Sequence, residues 1–300
     1  MNFISANDFS KSQIKELFGL SKMLKDKSKR PLSDRKPIMA LLFEKVSTRT
    51  RISFESAMLQ LGGHPIYIDA RTSQLSRGES ISDTARVLSA YVDIIAARMN
   101  RHSDLEEFAS HSDVPVINAL TDFEHPCQSL SDIYTILEEF GKISGIKIAF
   151  VGDIASNTAN SLMITASKMG ADVSLVGPKG YAPNEAYIKK ANENTDISVC
   201  SILKDGLKDC DVIYTDTFIS MGQETESKRR RRIFSGYQVN QEMLKYAKKG
   251  VRIMHCLPAH RGEEITSEAL DSKNSLVWKQ AANKLVVEKA IILYLLRQPK

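Results

Sequence analysis

The chain has 300 residues, 42% of them hydrophobic, which is enough for two medium domains with cores of their own. Its 41 basic and 36 acidic residues leave a net charge of +5, too mild a surplus to demand a nucleic-acid partner and well suited to small anionic substrates. Four cysteines, Cys127, Cys200, Cys210 and Cys256, form no CxxC pair or metal-ligand spacing, Met1–Ser5 lacks a leader pattern, and no apolar run approaches the ~18 residues that span a bilayer. The expectation is a soluble, cytoplasmic protein without a disulfide frame or structural zinc.

Phe9, Ile14, Leu17, Phe18 and Leu20, interleaved with lysines, predict an amphipathic helix over residues 8–27 with Asp8 as its cap. Pro37–Phe43 is an apolar run of strand length, bounded by Asp34, Arg35, Lys36, Glu44 and Lys45. Beyond it Ile52, Phe54, Met58 and Leu61 share one helical face that stops at Gly62-Gly63, so Ser47-Thr48-Arg49-Thr50-Arg51 sits where a strand hands over to a helix. The first N–H groups of such a helix lack partners within it, and the macrodipole adds positive charge there. Two hydroxyls and two guanidinium forks at that place suit a doubly charged phosphate better than a carboxylate. The plainer alternative is an N-cap followed by two surface arginines.

Residues 66–68 predict a short strand, 74–80 a polar loop, 81–91 a helix, and 92–97 a strand ending in Arg98. A helix at 105–110, a strand at 114–120 and a loop at 122–128 lead to a helix at 129–140, stopped by Gly141. A second series follows, with strands at 146–153, 172–176, 197–202, 212–214 and 251–255 and helices between them. This alternation predicts the α/β class: two doubly wound parallel-sheet domains, 1–141 and 142–280, with a C-terminal helix at 281–297 packing back on the first, which thereby gains 281–300.

In open α/β sheets ligands lie beyond the carboxyl ends of the strands. Those positions here are Ser47 to Arg51, Arg98, His125-Pro126-Cys127-Gln128, Gly152 to Asn157, Asp216 with Ser220-Met221-Gly222, and His255-Cys256-Leu257-Pro258. Singly, Arg98 reads as a surface charge, His125 as a helix-start residue and Cys256 as a small buried hydrophobe. Six polar ends together point to a site.

These segments together resemble the carbamoyltransferases and, among them, the ornithine carbamoyltransferases, with the likeness running from Phe3 to Leu296. The phosphate motif and His-Pro-Xaa-Gln are shared with the aspartate enzymes; the Ser-Met-Gly loop and His-Cys-Leu-Pro are the more discriminating parts. The resemblance implies a first domain that holds carbamoyl phosphate, with Ser47, Thr48, Arg49 and Thr50 around the phosphate. Arg98, His125 and Gln128 would be directed at the carbamoyl group, Pro126 and Cys127 belong to the same element, and Cys256 and Leu257 would line the reacting centre. Arg98 and His125 would clamp the carbonyl oxygen as it becomes negative. Gln74 resembles the residue that family members lend to a neighbouring subunit's site, which implies a homotrimer.

By the same resemblance Asn157, Asp216, Ser220 and Met221 hold L-ornithine in the second domain. Its side-chain amine, with a pKa of about 10, is almost all ammonium at neutral pH and must lose a proton before it attacks. Cys256 is the candidate acceptor, with Asp216 to orient it. The implied products are L-citrulline and phosphate, as in arginine biosynthesis, formed without a covalent enzyme intermediate, cofactor, metal, nucleic acid or membrane. Three positions depart from the family. Lys284, in Gln280-Ala281-Ala282-Asn283-Lys284, stands where an arginine is usual and keeps the charge without the planar fork. Phe218 replaces a common tryptophan, and Ser156-Asn157 a frequent Asn-Asn pair. A carbamoyltransferase for another amine or amino acid, such as putrescine or aspartate, is therefore the runner-up. The basic run Lys228–Arg232 lacks interleaved aromatics and reads as a solvated, mobile lid rather than a nucleic-acid patch. Phe150-Val151-Gly152-Asp153 lacks the GxGxxG that a nicotinamide dehydrogenase would need.

Overall fold

The computed structural model describes residues 1–25, 36–219 and 224–298. The chain divides into two compact units, one of Met1–Ser131 with the segment from Asn283 onward, the other of Asp132–Ala282.

The first unit carries a parallel sheet of β1 (Ile38–Phe43), β2 (His64–Asp69), β3 (Ile94–Arg98) and β4 (Val116–Leu120), in the order β2-β1-β3-β4. Its helices are α1 (Lys11–Lys25), α2 (Thr48–Gln60), α3 (Ile81–Tyr91), α4 (His102–Ser110) and the first turns of α5 (Pro126–Phe140). Met39 to Phe43 and Ile94 to Arg98 are all buried, the unbroken run expected of inner strands covered on both faces. Chain direction across the sheet reverses between β1 and β3. Ser47–Arg51 follow the first of those strands and Arg98 ends the second, so the topology puts them at the switch point, where such sheets bind ligands.

The second unit repeats the device with β5 (Lys147–Val151), β6 (Asp172–Val176), β7 (Ile197–Cys200), β8 (Val212–Thr215) and β9 (Arg252–His255), in the order β7-β6-β5-β8-β9. Its helices are α6 (Asn157–Lys168), α7 (Glu185–Ala191), α8 (Leu203–Gly206), α9 (Ser227–Phe234), α10 (Gln241–Leu244), α11 (Ser267–Leu270) and the start of α12 (Val277–Arg297). Here the switch point lies between β5 and β8, which lead into Gly152–Asn157 and Asp216. Gly152 has φ of 117° and any Cβ there would stand 3.1 Å from the Phe218 ring, so only glycine lets the two strand ends close up.

Two parallel-sheet α/β units and a C-terminal helix are thus as expected, with local corrections. The first helix starts at Lys11 with Ser10 as its cap, Ser10 Oγ accepting from Gln13 N at 3.3 Å. Asp8 instead turns back to accept the Ile4 and Ser5 N–H groups at 2.7 and 2.8 Å. Helix α5 starts at Pro126, not 129, because proline at a first helical position has its φ preset and no N–H to leave unpaired. Helix α12 starts at Val277 rather than 281. Its later part packs within the first unit, where the Tyr294 hydroxyl accepts from Gln13 at 3.0 Å and its ring meets Phe9 edge-on. Residues 26–27, Asp34 and Arg35 lie outside the described residues.

Candidate active site

In the first unit Ser47 caps α2, its Oγ accepting from Thr50 N at 3.3 Å. The first turn of α2 then divides by role: Thr48 and Arg49 are exposed, while Thr50 is buried and accepts from Lys284 Nζ at 3.0 Å. Arg98 ends β3 almost fully buried, and its Nε has no hydrogen-bond partner. Burial, and then the nearby Arg49, bring its guanidinium down to about 10. His125 is buried just ahead of α5. Desolvation first, then the cations Lys284 and Arg98, keep its imidazole well below the usual range, so it is neutral.

These couplings tie Ser47, Arg49, Thr50, Arg98, His125 and Lys284 into one electropositive cluster. Pro126 and Gln128 are buried on the first turn of α5. Cys127 turns into the core, donating its thiol to the Asn118 carbonyl at 3.3 Å, and burial keeps it protonated far above the normal thiol range. Gln74 stands apart, exposed on the 3-10 turn Gln74–Arg77.

In the second unit Ser156 caps α6 and sets half-buried Asn157 at its first position. Asp216, just past β8, accepts from Thr158 Oγ1 at 2.9 Å and from Thr217 N at 2.7 Å. One side-chain atom each of Asp216, His255 and Cys256 lies within 4.8 Å of the others. His255 is already spoken for: Nδ1 accepts from Leu257 N at 2.8 Å, so the proton sits on Nε2, which donates to Glu264 Oε1 at 3.0 Å. The trio would take a cation only if His255 surrendered one of those bonds. It also follows that His255 shapes the loop of Cys256 and Leu257, and that Asp216 is a carboxylate close to the half-buried Cys256. Leu257 has φ of 60° ahead of a cis bond to Pro258, and Glu264 braces the same loop by accepting His260 N at 2.6 Å. Ser220, Met221 and Gly222 lie outside the described residues.

Sequence reasoning passed over Thr158 and Glu264, gave Asp153 no role beyond its place in Gly152–Asn157, and misread Arg230. The basic run is helix α9, not a wholly solvated loop: Lys228, Arg229, Arg231 and Arg232 are exposed, but Arg230 is buried, ion-paired to Asp153 and donating to the Phe218 carbonyl at 2.6 Å. Thr158 has the signal of directly following Asn157. Glu264 has none.

Residues 1–138 match the profile of the aspartate/ornithine carbamoyltransferase carbamoyl-P binding domain, and residues 144–295 that of the Asp/Orn binding domain. The ornithine carbamoyltransferase of Pyrococcus abyssi is 48% identical over 98% of this chain and 95% of its own length. The anabolic ornithine carbamoyltransferase of Pyrococcus furiosus is 53% identical over 85% of this chain and 82% of its own. Among solved structures, ornithine carbamoyltransferase from P. furiosus superposes with a TM-score of 0.94 at 46% identity, covering 100% of this chain and 98% of that one. The anabolic enzyme from Campylobacter jejuni gives 0.92 at 38%, covering 98% of each chain. Sheet order, switch-point residues and full-length likeness agree, and the chain belongs to the aspartate/ornithine carbamoyltransferase family.

Proposed function

We propose that this chain transfers the carbamoyl group of carbamoyl phosphate to the side-chain amine of L-ornithine, yielding L-citrulline and phosphate. The observation that carries the reading is the first unit's cluster, in which Arg98 and Lys284 are buried cations collected around the start of α2 with Arg49 and a neutral His125. Such a cluster is complementary to a dianion with a polarisable carbonyl. Ser47, Thr48, Arg49, Thr50 and Lys284 take the phosphate, with Gln128 and Pro126 shaping the pocket. Arg98 and neutral His125 donate to the carbonyl oxygen as it gains charge.

The second unit serves the amine, with Asn157, Asp216, Ser220 and Met221 for the amino-acid end and Cys256 and Leu257 at the reacting nitrogen. Cys256, beside Asp216 and acting as the thiolate, receives the ammonium proton and becomes the neutral thiol. The freed lone pair attacks the carbonyl carbon, the carbon–oxygen bond to phosphate breaks with its electrons leaving on phosphate, and the departing phosphate takes the extra proton from the newly bonded nitrogen. The domain assignment, 1–141 with 281–300 for carbamoyl phosphate and 142–280 for ornithine, is part of the same reading. So are a cytoplasmic location, to which the free thiols of Cys127, Cys200, Cys210 and Cys256 lend support, and a homotrimer in which exposed Gln74 reaches a neighbouring site.

The purified protein with carbamoyl phosphate and, in turn, ornithine, putrescine, aspartate and lysine is expected to release phosphate fastest with ornithine. Preference for another amine overturns the substrate while leaving carbamoyl transfer intact. Light scattering in solution reads the trimer.

A further inference from the structure

The C-terminal helix brings a second charged group beneath the phosphate end of the first unit. Glu288 lies one turn beyond Lys284 on α12 and is fully buried. Side chains four apart share a helix face, and these two meet the start of α2 at successive turns. Lys284 reaches Thr50, and Glu288 lies beside Ser53. The Ser53 hydroxyl gives its hydrogen to the Thr50 carbonyl at 3.2 Å; it lies close enough to favour the carboxylate a little, but neither carboxyl oxygen of Glu288 has a partner at hydrogen-bond geometry. Among the described residues, Lys284 from its own helix, the protonated thiol of Cys127 from α5 and neutral Ser53 from α2 face this carboxyl. A carboxylate buried without donors is costly, so the site favours the neutral acid.

Building on the assignment of Thr50 and Lys284 to the phosphate, we infer that Glu288 is a positioning residue that sets the charge Lys284 offers to carbamoyl phosphate. Protonated, it leaves Lys284 a full cation for the dianion; ionised, it draws the ammonium aside and repels the phosphate. A lysine is open to this control because a compact ammonium on a flexible stem follows a nearby carboxylate, whereas a guanidinium held by a planar fork resists. Ionisation of Glu288 and binding of the dianion therefore oppose each other, and the substrate takes up a proton at Glu288 as it binds.

Burial, outweighing Lys284 and Ser53, raises the Glu288 carboxyl to about 8. The neighbours stay silent between pH 7 and 9: His125 titrates far lower, Cys127 far higher, and Arg98 at about 10. A phosphate monoester, with its second pKa of about 6, is already a dianion there.

The test is calorimetric titration of the full chain with carbamoyl phosphate, without amine, at pH 7, 8 and 9 in two buffers of different ionisation enthalpy. The dissociation constant is expected to rise about five- to tenfold from pH 7 to 9, with net proton uptake near pH 8. In Glu288→Gln both the drift and the uptake disappear. Binding that is flat with pH and takes up no proton in the wild type overturns the inference alone, and that measurement decides even if the variant does not fold. Absence of carbamoyl phosphate binding at every pH overturns the functional reading beneath it.

Discussion

The two switch points of this chain are built on opposite electrostatic plans. In the first unit Arg98 is buried with an unpartnered Nε, Lys284 and Glu288 are buried on one helix face without a hydrogen bond between them, and His125 is neutral because it is buried and, in addition, lies near Lys284 and Arg98. In the second unit most polar atoms near the strand ends are paired, namely both ring nitrogens of His255, both carboxyl oxygens of Asp216, and Tyr214 and Gln280 each donating to Asp132 at 2.8 and 2.7 Å, while Glu264 Oε2 lacks a hydrogen-bond partner. A buried guanidinium with an unpartnered Nε is expensive until an anion arrives, so the first plan suits a ligand that brings its own charge. The second plan is a scaffold of mostly paired groups, with the thiol of Cys256 beside a carboxylate held by Thr158 and Thr217.

The contrast breaks first on stability. In the folded chain Glu288 keeps its proton up to about 8, whereas its ordinary value is 4.5. A raised folded-state value means a contribution that is whole below the unfolded value and is lost as pH climbs through the folded one. The loss amounts to about 4 kcal/mol. Glu288→Gln escapes it, so urea unfolding should find the variant gaining on wild type by about that much between pH 5 and 8.5. A difference that stays constant with pH would mean the first unit carries no such charge burden. The next effect is in the rate. Arg98→Met should cut kcat by about 10²–10³, as for loss of a donor to a developing oxyanion, yet leave the melting temperature level or higher, since an uncompensated buried charge has gone. A variant that is both inactive and clearly less stable would make Arg98 a structural residue.

How much of this was legible beforehand follows from the range of each interaction. Parallel strands buried on both faces write themselves as apolar runs, so β1 and β5 were readable from Pro37–Phe43 and Ile146–Asp153 alone, and strand order then fixed where chemistry would collect. Helix starts were less readable, because Asp8 and Ser10 both have capping side chains and only the packed turn decides which one caps. Burial of single charges was not readable at all. Arg230 is one of five consecutive basic residues, and its pairing with Asp153 spans 77 positions. Glu288 sits among Val286, Val287 and Ala290 in a helix whose apolar pattern is the same whether it is ionised or neutral. Cys127 belongs to a legible motif, yet its side chain is spent on the core contact to Asn118.

The remaining tests ask whether the two plans act separately. Arg49→Ala removes an exposed fork from the first unit and should weaken carbamoyl phosphate by about 2 kcal/mol, the range of a charge-assisted bond, with ornithine affinity unchanged; equal losses for both would contradict the role. The smallest effect belongs to the second unit. Glu264→Gln keeps shape and one acceptor oxygen, but it trades a charge-assisted bond to His255 Nε2 for a neutral one and weakens the hold on His260 N. The loop carrying Cys256 and Leu257 then loosens by about 1 kcal/mol, which should appear as a roughly fivefold rise in the KM for ornithine. Carbamoyl phosphate should bind this variant as it binds wild type, because the bonds Glu264 accepts come from His255 and His260 of the second unit. If its affinity falls by the same factor, the bracing of His255 is felt by both substrates, and the division into a charge-hungry half and a paired half is wrong.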